Sequence, residues 1–120
     1  MDLNAKTVAL VIGIIFVVIG LLGFVNNPVF GLFAVNGLHN IIHLGSGVLI
    51  LVGAYTAIGS STTLKIFGVI YALIAVVGFF QTGDTLFGLM PNNMADKWLH
   101  VVLAIAILGA GFALPEDRTA

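Results

Sequence analysis

The chain has 120 residues, 60% of them hydrophobic and 8% charged, with a mean hydropathy of +1.19, a net charge of −1 and no cysteine. That excludes an ordinary soluble domain, in which about a quarter of residues are charged, and it excludes the basic footprint of a nucleic-acid binder. Without cysteine there are no disulfides, thiolate metal sites, iron–sulfur clusters or cysteine nucleophiles.

Four apolar runs follow one another. The first is Val8–Val25, behind a short head, Met1–Lys6, with one basic residue. A signal peptide has an apolar core of about 7–15 residues and a small-residue cleavage site. This run is longer, and Gly23-Phe24-Val25-Asn26 is a poor cleavage site, so a retained helix is expected. A loop, Asn26–Gly37, leads to the second run, Leu38–Ile58. Ser60-Ser61-Thr62-Thr63 reads as a polar turn capping the third run, Leu64–Phe80, which is short unless it draws in flanking residues. A second long loop, Gln81–Ala95, precedes the fourth run, Trp98–Leu114, which Pro115-Glu116-Asp117-Arg118 ends. Crossing the hydrocarbon takes roughly 17–25 helical residues, and in lipid each backbone polar group must be satisfied within the protein. The expected fold is therefore all-α, a single four-helix transmembrane bundle whose solvent is the lipid bilayer.

The chain is also internally duplicated. At an offset of 57, Phe30-Gly31-Leu32 recurs as Phe87-Gly88-Leu89, Asn36 as Asn93 and His43 as His100, while His39 is matched by Asp96. At an offset of 55, Gly13, Ile15, Ile19, Gly23 and Phe24 match Gly68, Ile70, Ile74, Gly78 and Phe79. Two repeats, about 7–58 and 62–114, each supply one helical hairpin. A hairpin returns to its starting side, so the two should run parallel about an axis along the membrane normal. Lys6, Lys65 and Arg118 fall on the side of the termini and only Lys97 on the other, which predicts cytoplasmic termini in a bacterial inner membrane. The two Phe-Gly-Leu loops then face outward, lying along the interface or folded over the bundle mouth. Trp98 fits the interfacial aromatic belt. Ala9, Gly13, Gly20, Gly45-Ser46-Gly47 and Gly109-Ala110-Gly111 are expected at helix contacts, because small residues let helices approach closely in lipid.

The polar residues gather at two helix starts, Asn36-x-x-His39-x-x-x-His43 and Asn93-x-x-Asp96-x-x-x-His100. Residues four apart share a helix face. If both faces meet at the axis between helices 2 and 4, three imidazoles and one carboxylate converge. The first reading is structural: Asn36 and Asn93 cap their helices, Asp96 completes a capping box, and His39 pairs with Asp96 across the axis. The second is a divalent metal, zinc or iron ahead of others, held by His39, His43, Asp96 and His100 with Asn36 and Asn93 behind them. The third is non-covalent haem b, with His43 and His100 as axial ligands. Proton relay, quinone and small-ligand chemistry also suit ionisable groups within a membrane. Asp84 beside Gly83 reads as a solvated turn, and Tyr55 and Tyr71 as packing or interfacial residues. There is no G-x-S-x-G, P-loop, Rossmann or H-E-x-x-H motif.

The stretch from Phe30 to His43, with Ala95-Asp96-Lys97-Trp98-Leu99-His100, resembles a family of small bacterial four-helix membrane proteins catalogued only as a domain of unknown function. The likeness spans nearly the whole chain and implies four membrane spans but no activity. A looser similarity in size and helix count to DoxX-like membrane proteins is fold-level analogy. The expected function is a small non-catalytic membrane protein with an outward-facing His/Asp/Asn site that binds a divalent metal. The alternatives are a redox or quinone-linked membrane enzyme or haem-carrying subunit, and a structural accessory subunit of a membrane complex. Homo-oligomer and larger complex both remain open as states of assembly.

Overall fold

The computed structural model describes residues 3–116. Four helices, α1 (Ala5–Leu22), α2 (Gly37–Ala54), α3 (Ser60–Phe80) and α4 (Met94–Ala113), account for most of it, with a two-stranded ribbon of β1 (Thr85–Leu86) and β2 (Met90–Pro91) between α3 and α4. All four helices are long and apolar enough to cross a membrane. Their outer faces stay apolar: Ile14, Val18, Leu73 and Ile105 are each more than half exposed. That surface suits an integral membrane protein, because lipid solvates it where water would not.

The helices begin earlier than the apolar runs, and capping is the reason. Asn4 caps α1, its side-chain oxygen accepting the Thr7 amide at 2.8 Å. Asn36 caps α2 by accepting the His39 amide at 2.9 Å. At α4 a reciprocal box forms: Asn93 accepts the Asp96 amide at 2.8 Å and Asp96 accepts the Asn93 amide at 3.0 Å. Helix α3 corrects the sequence reading twice. It is the longest of the four, at 21 residues, and Ser60–Thr63 form its first turn rather than a cap before it. Its cap position is Gly59 at φ 84°, which offers no side chain. The carboxylate of Glu116 supplies the acceptors, taking the Ser60 amide at 2.5 Å and the Ser61 amide at 2.6 Å. Glu116 thus folds back onto α3 besides ending the fourth run; Asp117 and Arg118 lie outside the described residues. Glu116→Ala leaves two first-turn amides without this acceptor, and a charged hydrogen bond is worth about 1.5–3 kcal/mol. The variant should lose roughly 2 kcal/mol of stability, read as a lowered unfolding midpoint in detergent, while Glu116→Gln should lose less.

Helix α1 packs along α2 and α3 along α4, and the two hairpins meet mainly through α3 against α1 and α2. The glycines expected at contacts divide. A Cβ on Gly13 would lie 2.7 Å from Leu51 Cγ, and a Cβ on Gly68 would lie 2.6 Å from Leu108 Cγ. Leu51 and Leu108 are themselves 57 apart, so the same knob meets the same hole in both repeats. Gly45 and Gly109, by contrast, face open space and mark no contact.

At one end the Ala5 amide donates to the Pro115 carbonyl at 2.7 Å. Lys6 lies 4.8 Å from the Tyr55 ring centre and Lys65 lies 4.9 Å from that of Phe112. At the other end the two long loops clasp each other. Asn36 Nδ2 donates to the Leu89 carbonyl at 2.9 Å, and Asn93 Nδ2 donates to the Leu32 carbonyl at 3.0 Å. Leu32 and Leu89 are equivalent, so the bond pair is reciprocal, as across a two-fold axis. Both connecting loops therefore lie at one end and the termini at the other, and the hairpins run parallel.

Each loop folds over the bundle mouth in the same way. Phe30 and Gly31 have φ of 54° and 72°, and Phe87 and Gly88 have 56° and 70°. Two consecutive positive φ values are those of a tight type I′ hairpin turn. It is closed by Leu32 N–H to Val29 O in one loop and Leu89 N–H to Leu86 O in the other, both 3.0 Å.

Candidate functional site

The loop clasp and the helix caps hold the first turns of α2 and α4 under a lid made by both loops. Beneath it the imidazoles of His39 and His43 lie 6.1 Å apart between ring centres, and those of His39 and His100 lie 6.2 Å apart. His43 and His100 are buried and His39 is half-buried. His39 thus has both other imidazoles within about 6 Å of its ring, but α2 does not pack on α4. The backbones of these two helices do not approach each other, and side chains alone bridge the gap. α3 supplies the missing wall.

That wall is aromatic and obeys the duplication. Phe16 of α1 stacks on His43 with centres 4.3 Å apart, and its repeat equivalent, Tyr71 of α3, lies 6.2 Å from His100. Phe16 and Tyr71 meet edge to face at 5.4 Å. The Tyr71 hydroxyl bonds the Ser46 hydroxyl at 3.0 Å, both residues being buried. His43 Nδ1 lies 3.0 Å from the Phe16 carbonyl oxygen. A carbonyl only accepts, so Nδ1 carries the proton, and the neutral ring keeps Nε2 as an acceptor.

A cavity of about 30 Å³ lies among His39, His43, Tyr71, Asn92 and His100, with Leu86 and Met90 of the ribbon beside it. Asn92 is 1% exposed, and neither polar atom of its side chain has a hydrogen-bond partner. The buried Nδ1 atoms of His39 and His100 also lack partners. An unpaired buried polar group costs about 1–3 kcal/mol. The cavity is roomy enough for a small hydrogen-bonding guest the size of a water molecule.

Asp96 does not join this set. It is 1% exposed, bounds a separate cavity of about 20 Å³ with His39, Asn40 and His43, and commits one oxygen to the capping box. The expected His39–Asp96 pair is not formed. Among the described residues no group of three or more His, Asp or Glu side chains is arranged to hold a metal ion. The cavity beside the rings of His43 and His100, about 30 Å³, is a small fraction of a porphyrin's volume. Asn36 and Asn93 serve as caps and cross-repeat clasps.

A family model, described as a domain of unknown function (DUF4383), matches residues 6–113, which include all four helices and both loops. The chain belongs to this family. No curated protein and no solved structure matches it, and the looser DoxX-like similarity gains no support from these comparisons. Within this DUF4383 chain, sequence reasoning missed Tyr71, Ser46 and Asn92. The repeat itself held the signal. An offset of 55 sets Tyr71 opposite Phe16, and an offset of 57 sets Asn92 opposite Val35 and Ser46 opposite Leu103. In each pair one copy is polar and the other apolar, and the polar copies surround one side of the imidazoles.

Proposed function

We propose that this is a non-catalytic integral membrane protein that binds a small hydrogen-bonding molecule in the chamber under its loop lid, with His39, His100, Tyr71 and Asn92 as contact groups. The observation that carries this reading is the side chain of Asn92. It is fully buried, lines the chamber, and has no partner for either polar atom. An amide kept in such a place is explained by a guest that bonds it. With the termini cytoplasmic, as the lysine distribution favours, the lid faces outward and the guest arrives from outside.

The test compares protein purified from its own membrane with Asn92→Leu and His100→Leu. Wild type should show, by NMR, a bound guest with cross-peaks to the Tyr71 ring, and both variants should lose them. Asn92→Leu should match wild type in thermal stability or exceed it by about 1 kcal/mol, since it removes a buried unpaired amide. Identical guest cross-peaks in folded wild type and variants would overturn the reading.

One observation favours a divalent metal as a second reading. The Phe16 carbonyl fixes His43 with Nδ1 protonated, as backbone carbonyls behind metal-binding histidines do. The imidazoles would have to rotate to bring their donors together. Stoichiometric zinc or iron by elemental analysis, lost in His43→Ala, would select this reading. No metal, with unchanged thermal stability on adding zinc, iron or copper, would eliminate it.

A further inference from the structure

Among the described residues Lys97 is the one basic side chain at the loop end of the bundle, and it is buried, only 8% exposed. It reaches the second loop, where Nζ donates to the Gly83 carbonyl at 3.3 Å. We propose that Lys97 and loop residues 82–84 bind the phosphate group of a phospholipid in the leaflet at the loop end, with Trp98 and Phe80 beside its acyl chains. Lys97 lines none of the cavities beside the imidazoles, so this site is separate from the chamber and its guest.

Charge comes first. An ammonium has three donors, and the Gly83 carbonyl takes one. No carboxylate among the described residues pairs with it, Asp84 beside Gly83 included. An ammonium taken out of water without a counter-charge is costly unless an anion joins it. The loop it reaches also has donors to spare: Thr82, Gly83 and Asp84 are exposed, and their amides donate to no described group.

Surroundings come second. Trp98, next to Lys97, rests edge to face on Phe79 with ring centres 5.3 Å apart. Trp98 is 57% exposed and Phe80 is 84% exposed, at the loop ends of two helices long and apolar enough to span. A cation beside exposed aromatic rings at the end of a span lies at the level of lipid headgroups. A phospholipid answers both features, with a phosphate for the ammonium and acyl chains for the rings. An inorganic anion answers only the first.

The repeat comes third. At an offset of 57, Asn40 stands opposite Lys97 and Ile41 opposite Trp98, while at an offset of 55 Phe24 matches Phe79. Asn40 is neutral and lays its amide against Gly23 at the end of α1, not against a loop. The ammonium and the indole thus belong to the second hairpin alone, which gives one site per chain. The first hairpin folds without either, so packing of a hairpin does not require them.

The experiment uses the full chain in a neutral maltoside detergent, with the emission of Trp98, its one tryptophan, as the readout. Dihexanoylphosphatidylglycerol should shift that emission saturably. Dihexanoylglycerol, which lacks the phosphate, should bind at least about tenfold more weakly, the lower bound for a charged hydrogen bond. Lys97→Met, which keeps the bulk of the stem, should lose about tenfold or more in affinity for the phospholipid. Lys65→Met, at the opposite end, should bind as wild type does. Inorganic phosphate should displace the phospholipid only at concentrations at least about tenfold higher than the phospholipid's own. Equal potency would make free phosphate the ligand and overturn the assignment to lipid. No saturable shift, equal affinity for dihexanoylglycerol, or unchanged binding in a folded Lys97→Met would each overturn the site. If that variant does not fold, the comparison of the two lipids in wild type decides alone.

Discussion

Gly47→Val should be the most damaging single substitution in the first hairpin, costing roughly 3 kcal/mol or more, the upper end for overpacking. A Cβ at position 47 would lie 2.7 Å from the Gly13 carbonyl oxygen and 2.8 Å from the Val17 amide nitrogen. Both are backbone atoms of α1 and cannot step aside as a side-chain tip can. Valine adds two more methyl groups, so α1 and α2 must separate. The same Cβ would lie 2.9 Å from Phe16 Cβ, so the ring stacked on His43 moves with the helix. Loss of the folded state in detergent, followed by circular dichroism against temperature, is the measurement. Gly13→Ala should cost less, because its nearest neighbour is the Leu51 side chain. Gly45→Ala is the control. It faces open space and should be neutral, or more stable by up to about 1 kcal/mol from helix propensity. If Gly47→Val and Gly45→Ala unfolded at the same temperature, close helix approach would not be what these glycines provide.

The fold was legible because two signals in the sequence are strong. Four apolar runs of spanning length fix the helices, since a bilayer leaves the backbone no other choice. The repeat of Phe30-Gly31-Leu32 and Asn36 at 87–89 and 93 made the hairpins parallel, and the reciprocal bonds of the two asparagines are the physical form of that repeat. Helix starts were harder to read because they depend on polar residues outside the apolar runs. Asn4 could have been recognised as a cap, but Glu116 could not. It reaches α3 from 56 residues away in sequence, and no local pattern carries such a contact.

The site was half legible. Spacing of four put His39 with His43 on one face, and that face turns inward, with His43 buried and His39 half-buried. It also suggested that α2 and α4 pack on each other, which they do not, because α3 stands between the hairpins and brings in Tyr71. Asp96 looked like a ligand by its place in the repeat. Its capping role was equally visible three residues after Asn93, and in the fold the capping role holds. Asn92 was overlooked because a loop asparagine is ordinarily solvated, and only the tertiary fold buries it.

The asparagine clasp gives the second large effect. Asn36 and Asn93 each act twice: the side-chain oxygen caps the residue's own helix, and the side-chain nitrogen bonds the loop of the other repeat. Alanine removes both functions, a cap worth about 1 kcal/mol and a hydrogen bond worth about 1 kcal/mol, so each Asn→Ala should cost roughly 2 kcal/mol. Asn93→Ala should be the worse of the two, because it also breaks the box with Asp96. Aspartate separates the functions. Asn36→Asp and Asn93→Asp keep a capping oxygen, which the helix dipole favours, but lose the crossing donor. The two bonds close one pair of loops, so opening either should release much of the other. The double aspartate variant should therefore be less damaging than the sum of the singles, with a coupling of at least about 0.5 kcal/mol. Asn93 adjoins Asn92, so the single aspartate variants should also loosen the chamber's hold on its guest without removing any group that lines it. Additive stability losses together with unchanged guest content would mean that the repeats are held together without the loop clasp and that the clasp does not shape the chamber.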